Sequence, residues 1–347
     1  MGMAKVGILG ATGYTGVELS LLLERHPEAE IAFLSSEASA GQELSSVFPR
    51  LSGCSKIRGK SLQTAASCQS TSVDVVFSCL PHGASAETCL PFVDGGAQVV
   101  DLSADFRLSD PDLYPKWYGK PHPKPERLKE GVYCIPELDR ALVRGAKLIA
   151  NPGCYPTSVL LPLVPLLKAG AVGAGTVIAD SKSGVSGAGR KPSLGTAYCE
   201  TNESISAYKP GRSHQHLGEM TQQLAKAKVG GLPLIFTPHL VPMERGILSV
   251  LYVPPAAGHD ATKMRQILTE AYASEPFVKV LAKADGLPAT AHVAHSNRCH
   301  IAVAEVPEND MVLVISVIDN LIKGASGQAV QNWNASQGWL ETLSFAG

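Results

Sequence analysis

One junction near the N-terminus limits what this chain can fold into more than any other feature. A buried-strand run, Lys5–Leu9, leads directly into Gly10-Ala11-Thr12-Gly13-Tyr14-Thr15-Gly16, and helical sequence, Val17–Arg25, continues until His26-Pro27. Strand, glycine turn and helix in that order open a βαβ unit. Glycines let a backbone come close to a pyrophosphate, and the first helical turn offers N–H groups and the positive end of its dipole. The spacing is GxxGxxG rather than GxGxxG, so a plain tight turn is the alternative. The flanking strand and helix favour a dinucleotide site at Gly10, Ala11, Thr12, Gly13, Tyr14, Thr15 and Gly16.

The next strand, Ile31–Leu34, ends in Ser35-Ser36-Glu37. An NAD enzyme usually has an acid at this strand end to hold the ribose 2′-OH. Ser35 and Ser36 can donate to a 2′-phosphate without repelling it, which predicts NADP(H); Glu37 argues the other way. Strand and helix signals then alternate through Val73–Leu80, Glu87–Val93, Gln98–Leu102, Pro136–Arg144 and Lys147–Ala150. That alternation predicts a Rossmann-like, doubly wound parallel sheet.

After residue 157 the texture changes. A helix is expected over Val159–Lys168. Strands are expected at Thr176–Asp180, Leu234–Val241, Ile247–Val253, Val278–Ala282, His300–Val306 and Met311–Ile318, with helices His216–Lys228 and Thr262–Ala273 between them. Consecutive strands with fewer helices predict an α+β domain with a largely antiparallel sheet. The Gly- and Ser-rich stretch Ser183–Gly195 is too long for a simple turn and is a candidate functional loop. The tail, Leu321–Trp333, reads as an amphipathic helix returning to the first domain. The expected division is 1–153, completed by a C-terminal helix in 319–347, and 154–318. A length of 347 residues suits two domains at roughly 150 residues each.

Charge and cysteine content narrow the function. Thirty Lys and Arg balance 31 Asp and Glu, which argues against a nucleic-acid partner. The longest apolar stretch, Val159–Leu167, is short and carries Pro162 and Pro165, so no membrane span is expected. The eight cysteines are scattered without a CxxC pair, which excludes zinc ribbons and thioredoxin motifs and fits a reducing, cytoplasmic setting. Seven read as inert thiols. Cys154, in Asn151-Pro152-Gly153-Cys154-Tyr155-Pro156-Thr157, differs, because it lies between a strand end and a helix start. A helix N-terminus stabilises thiolate over thiol and makes a nucleophile at neutral pH. Such a thiolate needs an acid/base partner, and Ser213-His214-Gln215-His216-Leu217-Gly218-Glu219 supplies two histidines at a predicted helix start. His-x-His is also half a metal site. No further ligand follows at the customary spacing, although Glu219 is within one turn, so no metal is expected.

Together these segments resemble the N-acetyl-γ-glutamyl-phosphate reductases of arginine biosynthesis. The likeness runs in chain order from residue 5 to about 335. It covers the glycine loop, Ser78–Gly83, Asp101–Leu108, Asn151–Thr157, Ser183–Arg190, the His214/His216 pair, Pro242–Gly246 and Asp319–Ala325. Aspartate-semialdehyde dehydrogenases and, more distantly, glyceraldehyde-phosphate dehydrogenases are similar in architecture, but the former lack the Gly-Cys-Tyr-Pro run. The resemblance implies a catalytic and dimerisation role for 154–318, a homodimer or homotetramer, Cys154 as nucleophile and His216 as acid/base. It further implies NADP(H) contacts at Pro81, Gly187 and Asn320, and contacts to a small acyl-phosphate substrate from Arg107, Lys182, His214 and Arg245. Members commonly carry Arg between the two histidines, where this chain has Gln215. The competing expectations are an aspartate-semialdehyde dehydrogenase, a reductase of carrier-protein-bound glutamyl or aminoadipyl phosphate, and a non-catalytic NADP sensor. A sensor has no need of a cysteine at a helix start. A cysteine phosphatase would need an arginine soon after the cysteine, and Tyr155 to Leu161 contains none.

Overall fold

A computed structural model describes residues 2–228, 231–306 and 308–345. The chain forms two units. The first runs to Pro152 and resumes at Ala325; the second is Gly153–Gly324.

The first unit is built on six strands: β1 (Ala4–Leu9), β2 (Ala29–Leu34), β3 (Val75–Ser78), β4 (Gln98–Asp101), β5 (Gly131–Tyr133) and β6 (Leu148–Ala150). Their order is β2-β1-β3-β4-β6-β5, and every neighbouring pair is parallel. The order reverses between β1 and β3, the point where open α/β sheets bind ligands at their strand ends. β5 escapes sequence reading because three residues carry no period. Helix α1 (Tyr14–Arg25) starts within the glycine loop rather than after it. Its last carbonyls are capped by Lys56, whose Nζ donates to the oxygens of Leu23 (3.2 Å) and His26 (2.5 Å). Helix α2 (Ser85–Asp94) follows β3.

In the second unit, helix α3 (Cys154–Lys168) precedes β7 (Val177–Ser183), β8 (Ser206–Ala207), helix α4 (His216–Ala227), β9 (Leu234–Leu240) and β10 (Ile247–Val253). Helix α5 (Ala261–Ala271), β11 (Val278–Val280), β12 (Cys299–Glu305) and β13 (Val312–Ile318) complete it. The sheet order is β11-β12-β13-β10-β7-β9-β8. β7–β9 and β11–β12 are parallel and the remaining pairs antiparallel.

α3 lies against one face of this sheet. The Ser158 hydroxyl on the helix meets that of Ser249 on β10, which meets that of Ser181 on β7, both at 2.7 Å. The helix is buried along almost its whole length and contains Pro162 and Pro165. Pro165 has no N–H for the Leu161 carbonyl, and the Tyr272 hydroxyl donates there instead. The opposite sheet face carries half-buried Leu248, Val250 and Leu313, with Ile235 45% exposed.

The tail departs from the sequence expectation. Helix α6 (Gly327–Gln337) follows a single π-helical turn, Ile322–Ser326. It is not amphipathic, because Gln328, Gln331, Asn332 and Asn334 are wholly buried. The amide N–H groups of two of them are met internally: Asn332 Nδ2 donates to the Cys134 carbonyl and to Asn151 Oδ1, and Asn334 Nδ2 to the carbonyls of Glu341 and Leu343. Residues 346 and 347 of the expected C-terminal segment lie outside the described residues. No described helix is long and apolar enough to cross a membrane.

Candidate functional site

In the first unit the three glycines of the loop have different reasons to be glycine. Gly10 has φ +76°, and a Cβ there would stand 2.8 Å from the Cys79 carbonyl oxygen. At Gly16 a Cβ would stand 2.5 Å from the Gly10 oxygen, so this glycine allows the helix to press against the turn. Gly13 caps α1, and the nearest atom to a Cβ there is the Gly10 oxygen at 3.6 Å. Its outer side is therefore open, at a helix end suited to an anion. Ser35 fixes the loop from beneath: its Oγ accepts from Gly10 N–H (3.2 Å) and its carbonyl from Ala11 N–H (2.8 Å). Ser36 and Thr12 share a hydroxyl pair at 2.8 Å, and Ser326 Oγ donates to the Thr15 carbonyl. Glu37 turns to accept the Ala65 N–H at 2.7 Å.

Pro81 is exposed in the turn after β3, where Gly83 N–H donates to Asp105 Oδ1 at 2.6 Å. Asp101, at the end of β4, is wholly buried and accepts from Ser85 Oγ, Ser103 N and Ser103 Oγ. Burial, with Asp105 close by, raises its carboxyl to about 6. Arg107 is buried and spans two strand ends, its Nε donating to the Asn151 carbonyl (2.8 Å) and its Nη2 to that of Leu102 (2.6 Å).

In the second unit, Gly153 caps α3 and Cys154 is its first residue, half-buried. A Cβ on Gly324 would stand 2.7 Å from the Cys154 Cβ, so glycine lets that segment lie against the cysteine. Wholly buried Glu219 connects the two halves of the cluster. Its Oε2 accepts the Gly153 N–H at 3.0 Å, and its Oε1 lies 4.0 Å from His216 Nε2. The spacing of residues raised Glu219 only as a metal ligand. Nothing in the sequence singles out Tyr155 and Tyr208, whose hydroxyls meet at 2.9 Å. Burial, with the Cys154 sulfur nearby, pushes the Tyr208 hydroxyl up to about 12.

The structure separates the two histidines. His214 is buried edge-on among Tyr155, Tyr208, Phe236 and His216, with ring centres 4.8–5.6 Å away. Its Nδ1 accepts the His216 N–H at 3.1 Å. Burial, reinforced by His216, pushes it down to about 2, so it is neutral at working pH and holds the start of α4. His216 is the first residue of that helix and faces Glu219.

Lys182 was expected at the substrate. Alternation along β7 puts Ser181 and Ser183 toward α3 and Lys182 on the opposite sheet face. There its Nζ is 2.6 Å from Asp180, which also faces His239. The expected strand ended at Asp180, so its period did not reach Lys182. Arg245 is buried, with Asp319 and Glu244 each at 3.3 Å. Asn320 spends its amide on Ser186 Oγ (3.0 Å) and on the Gly246 N–H (2.7 Å), and Gly187 lies beside it. The seven other cysteines are not all sequestered: burial pushes Cys79 and Cys89 up to about 12, but Cys199 is exposed.

Comparison with known proteins follows the same division. Residues 5–146 match a family described as semialdehyde dehydrogenase, NAD binding domain, and residues 154–320 one described as semialdehyde dehydrogenase, dimerisation domain. Among solved structures, aspartate semialdehyde dehydrogenase II of Vibrio cholerae complexed with ASA aligns with a TM-score of 0.72 at 19% identity, covering 96% of this chain and 98% of that one. Aspartate semialdehyde dehydrogenase with NADP from Candida albicans aligns at 0.71 and 18%, with the same coverage. The fold is thus that of the semialdehyde dehydrogenases. Full-length relatives narrow the class. N-acetyl-gamma-glutamyl-phosphate reductase of Magnetococcus marinus is 49% identical over 98% of this chain and 97% of its own. The reductase of that name from Geobacter metallireducens is 46% identical over 99% of each. The chain belongs to the N-acetyl-gamma-glutamyl-phosphate reductase family.

Proposed function

We propose that this chain carries out the NADPH-dependent reductive dephosphorylation of N-acetyl-γ-glutamyl phosphate to N-acetylglutamate 5-semialdehyde, with Cys154 as nucleophile and His216 as acid/base. The observation that carries the site assignment is Glu219, one buried carboxylate reaching both the N-cap of the cysteine helix and His216. A protein that only senses NADP has no use for that arrangement.

The Cys154 sulfur attacks the acyl carbon; a C–S bond forms, the C–O bond to phosphate breaks, and phosphate leaves. The helix N-terminus favours the attacking thiolate. NADPH, when bound, supplies the hydride that reduces the thioester carbonyl. Cys154 is then the leaving thiolate as the C–S bond breaks and the aldehyde forms. His216 holds the proton exchanged with the substrate oxygen, and Glu219 keeps its ring oriented. His214 positions His216 through the backbone rather than moving protons.

The glycine loop, Gly10 to Gly16, suits the pyrophosphate, since Gly13 leaves its outer side open. Glu37 Oε1 is engaged by the Ala65 N–H and so is not free to accept from a ribose 2′-hydroxyl, which supports NADP(H) over NAD(H). The half-exposed apolar sheet face around Val250 supports a homodimer, within the segment matched to a dimerisation domain; a monomer in sedimentation at micromolar concentration would contradict it. Eight free thiols suit the cytoplasm.

The test is the reverse reaction: N-acetylglutamate semialdehyde, phosphate and NADP, followed by NADPH absorbance. Turnover should depend on phosphate and exceed that with aspartate semialdehyde. Cys154→Ser should abolish it while leaving NADPH affinity within about twofold, because the cofactor contacts assigned here do not include the thiol. Normal turnover of that variant would overturn the nucleophile assignment.

A further inference from the structure

An acyl phosphate brings strong negative charge to the reacting carbon, and free phosphate must be held there when the reaction runs backward. Such an anion calls for charge-assisted donors. Of the cations named by sequence pattern, Lys182 lies on the far sheet face beside Asp180 and Arg245 lies between two carboxylates, while Arg107 keeps its charge but is buried, with Nε and Nη2 donating to backbone carbonyls.

The loop between β8 and α4 holds another. Lys209 follows Tyr208, whose hydroxyl meets that of Tyr155, the neighbour of Cys154. Its backbone has φ +43°, the left-handed region that side-chain-bearing residues seldom occupy and that costs free energy to hold. The turn continues through Pro210 and Gly211, which has φ +71°. It brings Lys209 Nζ to 3.1 Å from Oε1 of Gln215, the residue between the two histidines. An ammonium has three donors. Gln215 takes one and, being neutral, leaves the charge intact. Lys209 is exposed while Gln215 is half-buried, so the ammonium is tethered at the edge of the histidine cluster yet open to an incoming anion.

We propose that Lys209, held by Gln215, receives the phosphoryl group of the acyl phosphate and inorganic phosphate in the reverse direction. This deepens the function proposed above and rests on it. Neutral Gln215 is on this account the tether and Lys209 the charge.

The test is steady-state kinetics of the reverse reaction. Lys209→Ala should raise the KM for phosphate by roughly tenfold or more, the loss expected for a hydrogen bond to a charged group. The KM for the semialdehyde should stay within twofold and kcat within threefold. Lys209→Arg should recover most of the loss. Gln215→Glu, which neutralises the ammonium without removing it, should also raise the KM for phosphate.

A second readout needs no turnover: phosphate should slow alkylation of Cys154 by iodoacetamide in the wild type and not in Lys209→Ala. An unchanged phosphate KM in Lys209→Ala overturns the proposal. So does a rise confined to the semialdehyde KM, which would assign Lys209 to the substrate carboxylate. A wild-type protein without phosphate-dependent turnover would instead refute the functional reading itself.

Discussion

Two helix N-termini in this molecule share a backbone conformation and differ in what surrounds them. Gly13 caps α1 with φ −73° and ψ 161°; Gly153 caps α3 with φ −73° and ψ 159°. Neither receives a side-chain cap, and each follows a buried strand, β1 or β6. At α1 the surrounding residues support the turn from beneath and leave the outer side of Gly13 open. At α3 a carboxylate accepts from Gly153 N–H, and the Gly324 backbone lies against the first side chain. The difference teaches that a helix end does not define a function. On the proposed function, the same dipole serves an external anion where the cap is open, and an internal thiolate where the first residue is cysteine.

Beyond loss of the thiol itself, the largest effect that would test this contrast lies at His216. His216→Asn should lower kcat by about 10²- to 10⁴-fold, as removal of a general acid/base does, without changing NADPH affinity. His214 is the control, because burial already holds it neutral. If His214→Asn lost more in kcat than His216→Asn, the two roles would be reversed.

A smaller effect is expected at the open cap. Gly13→Ala adds a methyl whose nearest neighbour is 3.6 Å away, so the fold should accept it at a cost of about 1 kcal/mol or less. The methyl occupies the side from which a pyrophosphate approaches, and NADPH should bind roughly tenfold more weakly. Cys154 alkylation should not change. Unaltered NADPH affinity, measured by fluorescence titration, would mean that the open cap is only a turn.

Much of this contrast can be read in the sequence, but unevenly. The glycine loop is legible because steric need writes itself as residue type. The cysteine is legible because it falls between a strand signal and a helix signal. Yet α3 begins at Cys154 rather than Val159, because the apolar run that marks the helix starts only at Val159, whereas Gly153 is the cap and Pro156 sits in the first turn. Glu219, Tyr155 and Tyr208 converge through tertiary contacts that leave no local period. The tail misleads for the opposite reason: its Asn and Gln residues read as a solvent face, whereas they are buried, and Asn332 and Asn334 donate to backbone carbonyls and to Asn151 inside the core.

The last expected effect bears on stability rather than on turnover or binding; it concerns buried titratable groups, and it has opposite signs in the two units. His214 is held at about 2 by burial. The unfolded chain takes up that proton near 6.5, so this group costs the second unit stability as pH falls below that value. Asp101 is raised from 3.8 to about 6, chiefly by burial. The folded first unit keeps a proton that the unfolded chain releases near 4, so its contribution is lost as pH rises from about 4 to 6 and stays lost above. The full change is up to about 3 kcal/mol. All three tryptophans, Trp117, Trp333 and Trp339, lie in the first unit, so tryptophan fluorescence in urea reports on it. His26 and His122, both lowered by burial, add their own pH dependence there, but it cancels between variant and wild type when the sites are independent. The stability of Asp101→Asn relative to wild type should therefore rise by up to about 3 kcal/mol between pH 4 and 6.5 and then level off. A flat difference would mean that Asp101 is ionised throughout and that its three hydrogen bonds outweigh burial. If the rise appears while Cys154 alkylation is unchanged, the Asp101 titration acts on the stability of the first unit without altering the cysteine at the start of α3.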